Sequence, residues 1–217
     1  MASSSPFDDG LTDEEIQKAR DLENAEADWK LVNERLEAKM YRYTKNTGKH
    51  RVTMCKAVFE GIPMDIMEKI INDMNIRGEW DTMAKDMKDI DILDDDTKIV
   101  YWVIKMPMPC SNRDVLLHAK TIRSPNETLI VYKNATHPKC PPKSSPIRAD
   151  ILLSSVRISS DKDDPNTSHL VFIQQFDLKG WLPASVVNFV AESRAFAMGD
   201  EMTDYYKKTY LKKEDQK

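Results

Sequence analysis

Residues 176–210, FDLKGWLPASVVNFVAESRAFAMGDEMTDYYKKTY, decide how the rest of the chain must fold. Gly180 and Pro183 mark a turn that places proline at the start of a helix, and about 28 residues without another proline follow. The sequence therefore predicts a helix much longer than the others in the chain. Its residues at helical spacing form an apolar stripe, which consists of Val187, Val190, Ala191, Ala197, Met198, Met202 and Tyr205. This pattern suits a helix that a sheet covers on one side, and a plain core helix is the alternative.

Upstream of this helix, most segments have the period of β-strands. Thr12 and Glu15 form a capping box that predicts a first helix from about Asp13 to Ala27, and Pro63 opens a second helix that ends before Gly78. The predicted strands lie near residues 39–44, 52–59, 90–92, 98–106, 113–121, 128–134, 147–159 and 169–177. Short links between strands favour antiparallel pairing. The expected fold is α+β, with a curved antiparallel sheet folded around the C-terminal helix.

Composition bounds the class of protein. The 217 residues suit one domain, for which we expect residues 11–213, with residues 1–10 disordered. Lys and Arg number 32 against 36 Asp and Glu, and a net charge of −4 disfavours a nucleic-acid partner. Three cysteines without CxxC spacing, no secretory signal and no run of 18 apolar residues predict a cytoplasmic protein that does not span a membrane.

The familiar motifs of enzymes and metal sites are absent from the sequence. The four histidines are far apart, and none has the spacing of a paired metal ligand. No GxSxG, GxGxxG or P-loop pattern occurs. We therefore expect no catalytic residue, no metal and no cofactor. An enzyme would need a buried acid or histidine pair, and the nearest candidates, His118 and Asp150, have no evident partner in the sequence.

Arg77 and Trp102 are the two candidates for binding chemistry. Arg77 has apolar neighbours, and a guanidinium in such surroundings needs an anion, for which phosphate is geometrically suited. A surface arginine paired with Asp81 or Asp73 is the alternative. Trp102 offers an indole face to a cation, although core packing explains a single tryptophan in a strand equally well.

Several short motifs occur in one order along the chain. They are EWD (79–81), VYW (100–102), PMP (107–109), SNRD (111–114), IRA (147–149) and DLKGWLP (177–183). In this order and spacing the chain resembles the START domain family, and within it the phospholipid-carrier branch. The resemblance implies a helix-grip fold with an internal tunnel for one lipid, in which the C-terminal helix and adjacent loops serve as a lid.

The resemblance also assigns headgroup residues. Arg77 matches the arginine that binds the lipid phosphate in the family, and Trp102 matches one wall of the aromatic cage that holds choline. Val115 and Leu152 stand where choline-specific carriers have the two tyrosines that complete this cage. The sequence therefore predicts a carrier that accepts phosphatidylethanolamine as well as phosphatidylcholine.

The remaining expectations concern the tunnel and the membrane. The predicted tunnel lining is Ile71, Met83, Ile104, Leu117, Val187, Val190, Ala191 and Met198. Trp181 and Leu182 are predicted to insert at the headgroup level of a bilayer during a transient contact. The expected protein is a monomeric carrier of one phospholipid. A lipid-sensing interaction module and, less favoured, a helix-grip enzyme acting on a small apolar substrate are the alternatives.

Overall fold

The computed structural model describes residues 11–35, 38–45 and 50–211, with the side chains of all of them except residues 184, 185 and 188–195. The predicted disorder of residues 1–10, and residues 212–213 of the predicted domain, lie outside the described residues. The elements are α1 (Asp13–Asn24), β1 (Trp29–Arg35), β2 (Ala38–Tyr43), β3 (Thr53–Phe59), α2 (Met64–Asn72), α3 (Met74–Trp80), β4 (Ala84–Ile92), β5 (Thr97–Ile104), β6 (Arg113–Ser124), β7 (Glu127–Asn134), β8 (Ile147–Arg148), β9 (Asp150–Ser160), β10 (Ser168–Asp177) and α4 (Ala184–Tyr206). A π-helical turn, Lys207–Leu211, continues α4.

The strands form one sheet in the order β1-β2-β3-β10-β9-β7-β6-β5-β4. Neighbours along this path are antiparallel, and only the short β8 pairs in parallel, with β6. The pairing of β3 with β10 joins the N-terminal strands to the last strand of the chain. The predicted α+β class with an antiparallel sheet is confirmed.

One face of the sheet, here called the inner face, carries the main core. Strand residues of this face pack with α2, α3 and the C-terminal half of α4 in a single cluster. Members of the cluster include Phe59, Val100, Trp102, Val115, Leu117, Ile130, Tyr132, Ile151, Val156 and Phe172 from the strands, and Ile70, Ile71, Met74, Met198 and Met202 from the helices. The long C-terminal helix therefore covers a sheet that wraps around it, which confirms the predicted helix-grip fold.

The opposite, outer face is covered at two places. Val52, Met54, Val171 and Ile173 pack with Leu22 of α1. Ile99, Tyr101, Val103 and Leu116 pack with Ala135 and Cys140, which belong to the segment between β7 and β8. None of the described helices combines the length and the apolar content that a membrane span requires.

The structure corrects the predicted helix between Pro63 and Gly78. The chain forms two helices here, because the Asp73 side chain accepts hydrogen bonds from the backbone N–H groups of Asn75 (2.9 Å) and Ile76 (3.2 Å) and so starts a new helix. The second helix continues to Trp80, beyond the predicted end before Gly78. By contrast, the predicted capping box at Thr12 is confirmed, although α1 ends at Asn24 instead of Ala27.

Candidate functional site

The site is built around the middle of helix α3. The Trp80 indole Nε1 donates to the Ile70 carbonyl oxygen at 2.9 Å and so ties α3 to α2. Together with the Asp73 cap, this bond fixes the direction of the short helix against the inner face of the sheet. Arg77, one helical turn after its start, is thereby turned into the core.

Arg77 forms a buried ion pair with Asp81, one turn further along the chain. The Arg77 Nε atom lies 3.3 Å from the Asp81 Oδ2 atom, and the two side chains are 6% and 0% exposed. The alternative in the sequence analysis was a surface arginine paired with Asp81 or Asp73. Arg77 is indeed paired with Asp81, but it is buried instead of lying at the surface. The two buried charges stabilise each other, because desolvation of one alone costs several kcal/mol.

Trp102 from β5 covers the arginine. The Arg77 guanidinium carbon lies 5.1 Å from the centre of the Trp102 ring, within the range of a cation–π interaction. Tyr132 from β7 meets the same tryptophan edge to face, with 6.2 Å between ring centres and 84° between ring planes. An ion pair and two aromatic rings thus form one cluster on the inner face, here called the Arg77 cluster, which consists of Arg77, Asp81, Trp102 and Tyr132.

Tyr132 is the site residue that the sequence analysis missed. Its hydroxyl group is buried and makes no hydrogen bond. Burial raises the pKa of Tyr132, while the charge of the Arg77 side chain and its contact with the hydroxyl oppose that rise. The alternation in β7 gave the available signal, because Tyr132 lies two residues after the buried Ile130 and so shares its face.

One of the two predicted cage positions lies beside the Arg77 cluster. Val115 is the direct cross-strand partner of Trp102 and is fully buried beside it. Leu152 is not brought there, because a register shift opposite Gln175 and Phe176 leaves it unpaired and 48% exposed. On β9 the buried neighbours Ile151 and Ser154 occupy the interior.

The predicted tunnel residues divide in a similar way. Ile71, Leu117 and Met198 are buried in the inner core, Ile104 packs at its edge, and Met83 is half-buried outside that cluster. Val187 is 39% exposed, so it lies on the side of α4 that is turned away from the sheet. The side chains of Val190 and Ala191 lie outside the described residues.

Two exposed apolar side chains occur in loops that Arg113 ties together. Trp181 is 87% exposed, whereas Leu182 is half-buried against the core. The buried guanidinium of Arg113 donates to the carbonyl oxygens of Leu178 (2.5 Å), Lys179 (3.0 Å) and Ser111. The loop before β6 therefore lies against the loop before α4. The loop before β6 carries Met108, which is 90% exposed and was not predicted as a membrane-contact residue.

Groups that enzymes and metal sites use are dispersed in the part of the chain that the structure describes. No three His, Cys, Asp or Glu residues among the described ones are placed to hold a metal ion. Asp150, one of the two residues considered for catalysis, is half-exposed and pairs with Lys179 at 2.5 Å.

Comparison with known proteins gives a consistent set of relatives. The START domain family matches residues 11–208. Human START domain-containing protein 10 is 25% identical over 197 residues, which are 90% of this chain and 66% of that protein, slightly less than two thirds of its length. Rat phosphatidylcholine transfer protein is 26% identical over 193 residues, covering 84% of this chain and 87% of that protein. The crystal structure of human STARD10 shares the fold, with a TM-score of 0.82 at 22% identity over 95% of this chain and 86% of that one.

The buried ion pair predicts how variants at Arg77 and Asp81 affect stability. Arg77→Met or Asp81→Asn alone should lower the free energy of unfolding by about 3–5 kcal/mol, because each removes one member of the buried ion pair. The double variant Arg77→Met/Asp81→Asn should recover most of that loss. Urea denaturation of the four proteins measures this coupling. Additive losses in the double variant would show that the two side chains do not act as a pair.

Proposed function

Because the chain belongs to the START domain family, we propose that it is a carrier of one zwitterionic glycerophospholipid, which it moves between membranes without chemical conversion. Relatives named for lipid transfer support the general class. The observation that carries the finer proposal is the buried Arg77–Asp81 pair under Trp102. Its neutral overall charge determines which headgroup it can accept.

The charge of the site selects the headgroup. The pair itself carries no net charge, so a phosphodiester bound at Arg77 makes the interior negative by one unit. A choline or ethanolamine group supplies the missing positive charge from the ligand, whereas phosphatidic acid or phosphatidylserine leaves net negative charge in the core. Uncompensated charge in such surroundings costs several kcal/mol. Phosphatidylcholine and phosphatidylethanolamine are therefore the headgroups that fit.

Discrimination between these two lipids is expected to be weak. One face of Trp102 is already engaged by Arg77, and Val115 beside it is aliphatic. A trimethylammonium group therefore finds few free aromatic faces, each of which contributes about 0.5–2 kcal/mol. A primary ammonium keeps three hydrogen-bond donors and does not depend on aromatic rings. We place the two affinities within about tenfold of each other.

The acyl chains belong in the apolar interior between α4 and the sheet. The cavity that Phe59, Phe172, Met198 and Met202 help to line has a volume of about 10 Å³, too little for an acyl chain. We expect this half of α4 to move from the sheet when lipid is taken up. Since each exposed methylene costs about 0.8 kcal/mol in water, the movement belongs at a membrane surface, where the chains never leave apolar surroundings.

Docking is assigned to the two loops that Arg113 joins. Trp181 and Met108 present exposed apolar side chains, and the half-buried Leu182 follows Trp181 directly. Exposed tryptophan partitions to the headgroup level of bilayers. We place the protein in the cytoplasm, as a monomer that contacts membranes transiently.

Lipid extraction tests the proposed headgroup site. From vesicles with equal parts of phosphatidylcholine, phosphatidylethanolamine and phosphatidic acid, the wild type should extract the first two at least about tenfold better than the third. The variant Arg77→Met/Asp81→Asn should fold and extract none of them. Equal extraction of phosphatidic acid, or normal extraction by the double variant, would place the headgroup elsewhere.

The thiol of Cys55 reports the movement of α4. Cys55 lines the small cavity under Met198 and Met202, and burial raises its pKa to about 11, so it should react slowly with thiol reagents at neutral pH. In a Cys110→Ser/Cys140→Ser background, phosphatidylcholine vesicles should accelerate its modification. A variant that retains only Cys140, on the outer face, is the control and should show no acceleration. An unchanged Cys55 rate in protein that loads lipid would contradict movement of this half of α4.

Docking is tested by Trp181→Ala. Transfer between vesicles should slow by roughly tenfold, which corresponds to about 1.5 kcal/mol of lost apolar burial, while preloaded lipid stays bound. Ile92→Ala is the matched control, because Ile92 is 70% exposed in another part of the molecule. Equal slowing by both variants would remove Trp181 from this role.

A further inference from the structure

Tyr132 is a buried polar residue to which the proposed binding of phosphate and ammonium assigns no role. It lies on the inner face of β7, opposite Ala119 of β6 and Ser154 of β9. Its side chain is part of the inner core, and its ring packs edge to face on Trp102. The residue is therefore held firmly in the wall of the headgroup site.

Packing explains the ring of Tyr132 but not its hydroxyl group. A phenylalanine would make the same contact with Trp102 and fill nearly the same volume. The hydroxyl is buried without a hydrogen bond, and buried polar groups in proteins almost always have a partner. An unpaired donor lowers the stability of the protein that holds it, so its presence beside a binding site points to a partner on the ligand.

The neighbouring charges identify the chemistry of that partner. Burial raises the pKa of the Tyr132 hydroxyl, which therefore stays protonated near neutral pH and is available as a donor. The Arg77 guanidinium beside it donates to Asp81 through its Nε atom, and its two terminal nitrogens carry further N–H donors. An anionic oxygen is the acceptor that can satisfy both groups, and hydrogen bonds to a charged acceptor are stronger than neutral ones.

We propose that the Tyr132 hydroxyl donates a hydrogen bond to the phosphate of the bound phospholipid, so that Tyr132 and Arg77 together hold it. The proposal rests on the proposed function. It adds a specificity residue, because Asp81 already neutralises Arg77 and a second donor is needed to hold the phosphate in an apolar interior. Tyr132 thus favours lipids that carry a phosphate over neutral diacyl lipids.

The test is the substitution Tyr132→Phe, which removes the hydroxyl and keeps the ring. Delipidated protein is equilibrated with dioleoylphosphatidylcholine vesicles, and the lipid partition between protein and bilayer is measured. The variant should hold roughly ten- to a hundredfold less lipid at equilibrium, the factor expected for a hydrogen bond to a charged group. The melting temperature of the lipid-free variant should equal or exceed that of the wild type, because an unpaired buried donor has been removed.

A second probe separates the phosphate from the ester groups of the lipid. A dialkyl ether phosphatidylcholine keeps the phosphate and lacks ester carbonyls, and Tyr132→Phe should weaken its binding by the same factor. If the loss disappears with the ether lipid, the hydroxyl binds an ester carbonyl and the proposal is wrong. Displacement of bound lipid by millimolar inorganic phosphate would assign the donors to a free anion and would also overturn it.

Tyr41→Phe is the matched control, because Tyr41 packs in the outer cluster and should leave lipid partition unchanged. Unchanged partition in Tyr132→Phe, while Arg77→Met/Asp81→Asn loses all binding, would refute the proposal and leave the proposed function intact. A large fall in the melting temperature of Tyr132→Phe would show that the hydroxyl has a structural role instead. A wild type that takes up no phospholipid would refute both.

Discussion

The buried pair of Arg77 and Asp81 is the interaction on which this account depends. The inner-face cluster around it is mostly apolar, and an unpaired charge buried in such a place costs several kcal/mol. The short helix α3 places Arg77 in the core, because the Asp73 cap and the hydrogen bond from the Trp80 indole to the Ile70 carbonyl oxygen fix the direction of that helix. We propose that this neutral ion pair within the apolar core accepts the zwitterionic headgroup of a lipid with two hydrocarbon chains.

Much of the fold was predictable from local patterns. These patterns are the alternation in the strands, the glycine and proline that precede α4, and the capping box at Thr12. Each depends on neighbouring residues, and the structure confirms them. The helix after Pro63 was only half right. The helix is interrupted at Asp73, whose side chain caps the second helix. An aspartate can lie within a helix or cap one, and the packing of the two helices on the sheet decides between these positions.

The site was less predictable because it depends on register. The assignment of Leu152 to the cage followed from the family resemblance, which does not give the register of β9, and the shift opposite Gln175 and Phe176 leaves this residue exposed. Tyr132 was missed because its proximity to Trp102 and Arg77 depends on how β5, β6 and β7 pair and on where α3 packs against them. Arg77 was found from its apolar neighbours, and only the structure shows that Asp81 cancels its charge. In the proposed function, that cancellation favours zwitterionic headgroups over anionic ones.

Native mass spectrometry can identify the bound lipid in protein purified from cells that make both phosphatidylcholine and phosphatidylethanolamine. We expect a complex of one protein chain with one lipid, whose mass and fragments identify either of these two headgroups. A protein that carries no lipid, a sterol, or predominantly an anionic phospholipid would contradict it.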